Sequence, residues 1–367
     1  MLGGGQLGRF FVLAARELGY HTWVLDPDQS SPAGDVAHRH LVAGYDDPAA
    51  LDELATGCAA VTTEFENVPA AALARLARST VVHPSADAVA TCQDRIAEKT
   101  FLRDHGLGHA PFAVLRGAGD LDAVPESLFP GILKVARFGY DGRGQVPVET
   151  RDELAAAFAA LGGVDTVLEQ RVPLELEVSV VLARDAGGAV RAYPPAENRH
   201  VGGILDTSIV PAAISDELRD TATALAVEVA SALSFVGTLA VELFVSGGRL
   251  LVNEIAPRPH NSGHFTLDGC VTDQFEQQLR ALCGLPLGDP RSHSATVMVN
   301  LLGDRWFDGG REREPDWSAL LAVPELRLHL YGKATPRPGR KMGHLTVVAP
   351  DRAAALAAAR AALDQLG

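Results

Sequence analysis

A glycine-rich segment that follows a single lysine has the chemistry of a phosphate-binding loop. Lys134 lies in the short apolar stretch 131–135, and Gly139, Gly142 and Gly144 come after it. Glycines let backbone N–H groups approach an anion closely, and a lysine at the end of a strand supplies a fixed positive charge. The segment therefore indicates binding of a nucleoside triphosphate, although a glycine-rich surface hairpin would show the same spacing.

Two carboxylates, Glu242 and Glu254, fall within a β-hairpin predicted over residues 238–255. A turn at residues 246–248 places Glu242 opposite Val252, with Glu254 diagonal to Glu242 on the same face. Diagonal side chains roughly 7 Å apart leave room for a small cation. Mg²⁺, with Mn²⁺ as an alternative ion, is held by one or two carboxylates plus substrate phosphates. The hairpin thus predicts a metal site, and an exposed polar face of the sheet is the other interpretation.

Arg258 and His260 follow this hairpin directly, so they are expected at the same end of the sheet as the two carboxylates. The fork of a guanidinium group suits a planar oxyanion such as bicarbonate. His260 and His264 are also explained as buried structural histidines. We predict a functional role for His260 and leave His264 open.

A basic cluster near the C-terminus stands out in an acidic protein. Lys333, Arg337, Arg340 and Lys341 are interrupted by prolines and glycine, which is typical of a tight loop that binds a phosphate ester. A solvated loop would have the same spacing. Residues 63–69 leave a strand at its carboxyl end, where open α/β sheets bind ligands, yet a capping loop would look similar.

The first ~85 residues alternate strands and helices, including a helix at 10–18 and strands at 20–25 and 59–63, which predicts a doubly wound α/β domain. The pattern Gly-x-Gly-x-x-Gly at 3–8 matches a dinucleotide fingerprint, and Asp26 stands where a ribose-binding acid would be. Only two residues precede these glycines. Either the beginning is truncated or the sheet lacks its first strand.

Later segments predict further helices and strands and a separate lid. One helix is expected from Ser85 to about His105, followed by a glycine-bounded α/β lid over about 118–178. Alternating strands and the hairpin come next, and an alanine-rich helix ends the chain. We therefore divide the chain into 1–88, 89–290 with the lid inside it, and 291–367.

Composition excludes several classes of function. The 367 residues have a formal net charge of −14 and are 47% hydrophobic, which argues against general binding to nucleic acid or to anionic membranes. Four scattered cysteines form neither a disulfide framework nor a zinc motif. No signal peptide or membrane span is recognised, so we expect a cytoplasmic protein.

Six motifs in one order resemble those of the N5-carboxyaminoimidazole ribonucleotide synthases, a family of the ATP-grasp superfamily, over nearly the whole chain. The motifs are Gly3-Gly-Gly-Gln-Leu-Gly-Arg9, Thr63-Glu-Phe-Glu-Asn67, Gly139-Tyr-Asp-Gly-Arg-Gly-Gln145, Asn253-Glu-Ile-Ala-Pro-Arg258, His260-Asn-Ser-Gly-His264 and Arg337-Pro-Gly-Arg-Lys-Met-Gly-His344.

The resemblance implies an α/β fold of the ATP-grasp type. It has an N-terminal Rossmann-like pre-ATP-grasp domain, a small lid and a C-terminal α+β domain that completes a substrate phosphate site. The implied enzyme is a ligase of purine biosynthesis that uses ATP and bicarbonate to carboxylate 5-aminoimidazole ribonucleotide through carboxyphosphate.

The same resemblance assigns residues to each ligand. Those implied for ATP are Arg95, Lys134, Gly139, Tyr140, Asp141, Gly142, Arg143, Gly144, Gln145, Glu169, Gln170, Arg171, Val172, Glu177, His200, Asn253 and Glu254. Those implied for the ribonucleotide are Gln6, Leu7, Glu66, Lys333, Arg340 and Lys341, with the glycine turn cradling its ribose phosphate. Tyr140, Asp141, Arg143, Arg258 and His260 are implied for catalysis, and Glu242 and Glu254 for the metal.

Two departures accompany the resemblance besides the short N-terminus. Phe138 stands where relatives often have glycine, and Ala256 replaces an asparagine metal ligand of many ATP-grasp enzymes. The family also implies a homodimer and functional coupling to the mutase that uses the product.

Three other functions stay open from the sequence. Another ATP-grasp ligase, such as a formate-dependent glycinamide ribonucleotide transformylase, shares the hairpin carboxylates. The N-terminal glycines allow an NAD-dependent oxidoreductase. A non-catalytic nucleotide-binding protein is the third possibility.

Overall fold

The N-terminal region is a doubly wound α/β domain, as predicted. The computed structural model describes residues 1–139 and 142–366. The elements of this region are α1 (Gln6–Glu17), β1 (Trp23–Leu25), β2 (Arg39–Leu41), α2 (Pro48–Gly57), β3 (Ala60–Val61), α3 (Ala70–Leu76), β4 (Val81–Val82) and α4 (Ala86–Gln93). Strand β1 pairs in parallel with β2, and β3 pairs in parallel with β4.

Residues 1–3 lie between these two pairs and take the place of the strand expected before the glycines. The N–H of Leu2 donates to the carbonyl of Thr62 at 2.9 Å, and the N–H of Gly3 donates to that of Leu25 at 3.0 Å. Leu2 thus bridges both neighbours in parallel register and is fully buried. The interpretation that the sheet lacks its first strand is therefore wrong, because so short a segment carries no sequence pattern of its own.

Two helices occupy the segment for which one helix was predicted. Helix α4 begins after Ser85, and α5 (Arg95–Asp104) begins after Asp94. The Asp94 carboxylate accepts from the N–H of Ile96 at 2.9 Å, which caps α5. Aspartate at this position satisfies an unpaired helix N–H group and favours a new start over a continuous helix.

The lid is a four-stranded antiparallel sheet with one helix. Its elements are β5 (Phe112–Leu115), β6 (Gly131–Val135), β7 (Gln145–Val148), α6 (Arg151–Ala160) and β8 (Thr166–Gln170), in the strand order β5-β8-β6-β7. The lid sheet therefore extends from Phe112 to Gln170. The strand that follows it along the chain belongs to a different sheet.

A nine-stranded antiparallel sheet combines the central and C-terminal regions. Its central part contains β9 (Leu176–Arg184), β10 (Val190–Ala192), β11 (Ala196–Val201), β12 (Ile204–Val210), α7 (Asp216–Ala232), β13 (Gly237–Ser246), β14 (Arg249–Ala256), α8 (Thr266–Gly269) and α9 (Gln274–Leu282). The C-terminal part contains β15 (Ala295–Leu302), β16 (Phe307–Asp308), β17 (Arg311–Glu312), α10 (Ser318–Leu321), β18 (Leu326–Leu330), β19 (Lys341–Ala349) and α11 (Arg352–Asp364).

The strand order of this sheet is β14-β13-β9-β11-β12-β15-β19-β18, with β10 paired to β9. Helix α7 covers the face that carries Val180, Leu239 and Val241, all fully buried. Burial of each such side chain contributes about 2 kcal/mol. Short 3-10 helices lie at Gly34–Val36, Ala118–Ala123, Glu126–Leu128, Asn261–Gly263 and Gly303–Trp306.

The β13–β14 hairpin has a different register from the predicted one. Gly247 and Gly248 both have positive φ angles, 57° and 69°, and form a two-residue turn. A bulge then leaves Asn253 unpaired, so that Glu242 lies directly opposite Glu254. The predicted diagonal arrangement is wrong by two residues. The turn has two residues, so Ser246 and not Val245 pairs with Arg249, and the bulge adds a second shift that is not visible in the residue types.

Candidate active site

One cavity of about 930 Å³ lies between the N-terminal domain, the lid and the nine-stranded sheet. This volume is at the upper end for small-molecule sites. Most of the predicted site residues line it: Gln6, Leu7, Glu66, Arg95, Lys134, Gly139, Gly142, Arg143, Gln145, Glu169, Gln170, Arg171, Val172, Glu177, His200, Glu242, Asn253, Glu254, Arg258, His260 and Lys341. Gly144, Lys333 and Arg340 are outside this lining. Tyr140 and Asp141 lie outside the described residues.

The lid contributes a buried lysine to the cavity. Lys134 on β6 reaches the carboxylate of Glu169 on β8, with Nζ and Oε2 3.1 Å apart. Burial lowers the pKa of Lys134, and Glu169 opposes that shift. Burial alone would raise the pKa of Glu169, but Lys99 and Lys134 outweigh it and lower the value to about 2. Glu169 is therefore ionised at neutral pH.

Arg95 and the hairpin carboxylates meet beside the Lys134–Glu169 pair, close enough for the charge of Arg95 to act on Glu169. The guanidinium of Arg95 is 3.5 Å from the carboxylate of Glu254. Burial, and then the neighbouring charge of Glu254, raise the pKa of Glu242 from 4.5 to about 7. Two facing carboxylates that resist ionisation together form a donor set that suits a divalent cation.

His260 lies beside Glu242 and is itself held by a chain of hydrogen bonds. Its Nε2 is 3.3 Å from Oε1 of Glu242, and its Nδ1 is 2.8 Å from the Ser262 hydroxyl, to which the Ser179 hydroxyl donates at 2.8 Å. Burial, and then the charge of Arg258, hold the pKa of His260 well below 6.5. His260 is therefore neutral, so its 3.3 Å contact with Glu242 is not an ion pair.

Arg258 pairs with Glu66, which belongs to the N-terminal domain. Nε of Arg258 and Oε2 of Glu66 are 2.5 Å apart, and Nη1 donates to the carbonyl of Pro259 at 3.2 Å. Burial would raise the pKa of Glu66, but the charge of Arg258 prevails and lowers it. Part of the Arg258 fork is thus used to join two regions of the chain at the cavity wall.

The glycine turn before α1 holds the protein's own carboxylates. The N–H groups of Gly5 and Gly8 donate to the carboxylate of Glu64, the latter at 2.7 Å, and the N–H of Gly4 donates to Asp26 at 2.6 Å. A Cβ on Gly5 would lie 2.5 Å from Oε1 of Glu64. The glycines therefore make room for these side chains, and the dinucleotide interpretation fails because its pyrophosphate position is taken.

Glu177 and His200 form a polar pair on the sheet floor of the cavity. Nδ1 of His200 is 2.7 Å from Oε2 of Glu177. Burial would lower the pKa of His200, but the hydrogen bond to Glu177 outweighs it and raises the value. The glycine loop of the lid reaches this region, because a Cβ on Gly142 would lie 3.3 Å from the Cα of Gly203 in the β11–β12 turn.

The basic loop between β18 and β19 contributes unequally. Lys341 lines the cavity, whereas Nζ of Lys333 donates to the Lys341 carbonyl at 2.7 Å. Arg340 donates to the carbonyl of Thr335 at 2.6 Å and is partly exposed. The spacing of these residues shows that they share a loop, but it does not show which side chain faces the cavity.

Three residues beside the predicted set matter for the site geometry. Lys99 is fully buried and reaches Glu169 at 3.3 Å. Asn261 lines the cavity, and both amide heteroatoms are buried without a partner among the described residues. Glu64 fills the glycine turn. Asn261 and Glu64 each had a signal in the sequence, through their places inside the motifs His260–His264 and Thr63–Asn67, whereas Lys99 lies outside the six motifs.

Phe138 has φ +62° and is 69% exposed. This residue adopts a backbone conformation that glycine reaches more easily, at the base of the lid loop.

The parts of the chain that the structure describes contain neither a metal site built from protein side chains alone nor a helix that could span a membrane. No group of three or more His, Cys, Asp or Glu side chains there could hold a metal ion by itself. A metal at Glu242 and Glu254 would therefore also need ligands from a substrate. None of the helices within residues 1–139 and 142–366 is long and apolar enough to cross a membrane.

Three family models match consecutive parts of the chain. A ribonucleotide synthetase preATP-grasp domain matches residues 1–93, an ATP-grasp domain matches 100–275, and a phosphoribosylaminoimidazole carboxylase C-terminal domain matches 296–358.

Known N5-carboxyaminoimidazole ribonucleotide synthases are similar to this chain over almost its full length. The N5-carboxyaminoimidazole ribonucleotide synthase of Brucella melitensis is 47% identical over 354 residues, covering 95% of this chain and 96% of that protein. The protein of the same name from Bacillus subtilis is 40% identical, covering 94% and 90%.

Solved structures show the same similarity in three dimensions. N5-carboxyaminoimidazole ribonucleotide synthetase from Thermus thermophilus has a TM-score of 0.90 and 42% identity, covering 100% of this chain and 97% of that one. The Aspergillus clavatus N5-carboxyaminoimidazole synthase, in complex with ADP and 5-aminoimidazole ribonucleotide, also has a TM-score of 0.90, at 32% identity and with coverage of 100% and 97%. The similarity therefore extends over every region of the chain.

Proposed function

Since this chain belongs to the N5-carboxyaminoimidazole ribonucleotide synthase family, we propose that its cavity joins bicarbonate to the amine of 5-aminoimidazole ribonucleotide. The chain is an ATP-grasp ligase of purine biosynthesis, and the reaction yields N5-carboxyaminoimidazole ribonucleotide, ADP and phosphate. The observation that carries the proposal is the meeting of Lys134, Arg95, Glu254, Arg258 and Lys341 around one cavity.

ATP fits the side of the cavity nearest the lid. Ile132, Val172 and Phe244 supply apolar surface for a planar base. Lys134 and Arg95 supply the positive charge that phosphates need, and the partly exposed Glu177 carboxylate can accept a hydrogen bond from a ribose hydroxyl. Gly139, Gly142, Gly144 and Gln145 belong to the loop that would close over the phosphates, and Gln170 and Arg171 to the strand end beside the base.

Mg²⁺ fits Glu242 and Glu254. Burial and mutual repulsion leave Glu242 with a pKa of about 7, and a cation between the two groups would remove that repulsion. His260 and Asn253 hold Glu242 in place, at 3.3 Å and 3.4 Å. When bound, the ion would neutralise the charge of the ATP phosphates. Ala256 offers no ligand, so the two carboxylates and the phosphates would supply the coordination.

The ribonucleotide fits the opposite side, beside the N-terminal domain. Gln6 and Leu7 belong to the first turn of α1 and line the cavity there. The expected cradling of the ribose phosphate by the glycine turn itself is not supported, because the N–H groups of Gly5 and Gly8 already donate to Glu64. Lys341 adds a cation to the same wall, and Lys333 and Arg340 would approach only with a movement of their loop. Glu66 would bind the substrate while it orients Arg258 through their 2.5 Å contact.

The chemistry needs charge neutralisation and the exclusion of water. A bicarbonate oxygen would attack the γ-phosphorus, the bond to ADP would break, and carboxyphosphate would form. The substrate amine would then bond to the carboxyl carbon while phosphate leaves and the amine loses a proton. Arg258 and Arg143, with Tyr140 and Asp141 from the lid loop, would orient bicarbonate and the amine. His260 would act by positioning Glu242.

The closed lid would exclude water from the cavity. This exclusion is needed because carboxyphosphate hydrolyses when it is exposed to water. We further propose a cytoplasmic homodimer that works in sequence with the mutase that uses its product.

ADP release in the presence of Mg²⁺-ATP and bicarbonate tests this function. We expect strong stimulation by 5-aminoimidazole ribonucleotide and none by glycinamide ribonucleotide with formate. Stimulation by the second pair would favour the transformylase. Silence with both substrates, alongside measurable ATP binding, would favour a non-catalytic protein.

A further inference from the structure

Lys99 is a fully buried lysine beneath the nucleotide side of the cavity, which it does not line. Its Nζ lies 2.9 Å from the carbonyl oxygen of Asn253, 3.4 Å from that of Val252 and 3.3 Å from Oε2 of Glu169. A buried ammonium group is costly unless its donors are paired. Three oxygens match its three donors, so this position is built for a charged lysine.

The first two contacts support the backbone of β14. This strand lies at the edge of the nine-stranded sheet. On its outer side Val252 bridges to His109, and beyond that bridge no strand of the described residues pairs with Asn253 to Ala256. Side chains of α5 replace that partner: Lys99 binds the carbonyl of Asn253, and the Glu98 carboxylate accepts from the N–H of Ile255 at 2.6 Å. These contacts bracket the bulge from which Asn253 and Glu254 enter the cavity.

The third contact affects the charge available to a nucleotide. Oε2 of Glu169 lies 3.3 Å from Lys99 and 3.1 Å from Lys134, so one carboxylate is shared by two ammonium groups. The trio keeps a net positive charge next to the cavity. Without Lys99, Glu169 would neutralise Lys134 alone, and a buried pair of opposite charges attracts a phosphate only weakly.

We propose that Lys99 is a positioning residue for ATP, which fixes the bulge at Asn253 and shares Glu169 so that Lys134 keeps its charge for the phosphates. The inference rests on the proposed function, because it requires ATP on this side of the cavity. It assigns to the reaction a residue that touches neither substrate nor metal.

Steady-state kinetics of Lys99→Met test the proposal. We expect the KM for ATP to rise at least about tenfold, which corresponds to about 1.4 kcal/mol, while the KM for the ribonucleotide changes less than about twofold. Lys99→Arg keeps the charge and should recover most of the loss. Arg103→Met makes the same charge change on the exposed face of α5 and should leave both KM values unchanged.

A second set of variants tests whether the Glu169 carboxylate neutralises Lys134 when Lys99 is absent. In the double variant Lys99→Met/Glu169→Gln, no carboxylate remains to neutralise Lys134. We therefore expect its KM for ATP to be at least about threefold lower than that of Lys99→Met, after correction for Glu169→Gln alone. No recovery would overturn the charge-sharing part of the proposal.

Calorimetric titration with ADP provides a readout without turnover, and we expect about tenfold weaker binding to Lys99→Met. Lys99→Gln replaces Lys99→Met if the latter does not fold. Equal increases in both KM values, or wild-type ADP affinity in the folded variant, would overturn the inference. Wild-type protein that shows no ribonucleotide-stimulated ADP release would instead overturn the proposed function.

Discussion

Replacing Glu242 with glutamine is expected to stabilise the metal-free protein while it removes ligase activity. Glu242 faces Glu254 across the hairpin, and its Oε1 lies 3.3 Å from Nε2 of His260. Glutamine has the same shape. Oε2 of Glu242 accepts from Nδ2 of Asn253 at 3.4 Å, and a glutamine N–H group at that position can instead donate to Oδ1 of Asn253 after the Asn253 amide flips. The substitution therefore removes a charge and leaves the packing intact.

The size of the effect follows from the pKa of Glu242, which is raised from 4.5 to about 7. Each pKa unit corresponds to about 1.4 kcal/mol. Below pH 4.5 the carboxyl group is protonated in both the folded and the unfolded chain, and it carries no penalty. As the pH rises from 4.5 to about 7, the unfolded chain loses its proton first, so the folded state loses stability. The penalty is about 1 kcal/mol at pH 5 and about 3 kcal/mol at pH 8.

Glu197 provides a matched control, because its substitution by glutamine is expected to change stability in the opposite direction. This glutamate is also buried, but it forms ion pairs with Arg199 and Arg352 and does not line the cavity. Burial would raise the pKa of Glu197, yet the two arginines outweigh it and lower the value. Glu197 therefore contributes stability above its unfolded pKa, and this contribution is lost as the pH falls. Glu197→Gln should lower the melting temperature at pH 8.

Thermal unfolding in EDTA without nucleotide, at pH 5 and pH 8, measures both effects. We expect Glu242→Gln to melt above wild type at pH 8, with a gain larger than at pH 5 by about 2–3 °C. ADP release in the presence of Mg²⁺ should be lost. An unchanged melting temperature at pH 8, or the same gain at both pH values, would refute the reasoning.

Three further outcomes are expected. Glu254→Gln should abolish ADP formation with little change in thermal unfolding, because the lost contact with an arginine offsets the relief of the facing carboxylate; near-normal turnover would remove Glu254 from the metal site. Lys341→Ala should raise the KM for the ribonucleotide more than that for ATP, and Arg340→Ala should do so less strongly; equal effects on both substrates would contradict this phosphate site. Gly5→Ala should lower stability by about 1–3 kcal/mol in denaturant unfolding, because its Cβ would meet Glu64 at 2.5 Å, and wild-type stability would contradict that contact.

The order of motifs predicted the fold and most of the cavity lining, because each motif combines residue types that few other arrangements require. Lys134 and the glycine loop, the hairpin with Glu242 and Glu254, and Arg258 are contiguous segments of this kind. The sequence did not reveal the bulge at Asn253. A bulge depends on how an edge strand meets its neighbours, and here that neighbour is α5.

The glycine turn is a second feature that the sequence predicted only in part. Its spacing predicted a tight turn before a helix, which the structure has, but not what fills that turn. Glu64 lies 59 positions after Gly5 in the chain, and only the pairing of residues 1–3 with two strands brings its carboxylate to the Gly5 N–H.

The sequence by itself determined the chemistry that is available: a lysine with a glycine loop, two hairpin carboxylates, and a basic loop in a chain of net charge −14. Tertiary structure decided which groups meet. It directed Lys341 rather than Arg340 to the cavity, joined Arg258 to Glu66, and placed Lys99 under Glu169. Side-chain direction and long-range contacts depend on packing between distant segments, and local residue patterns do not encode them.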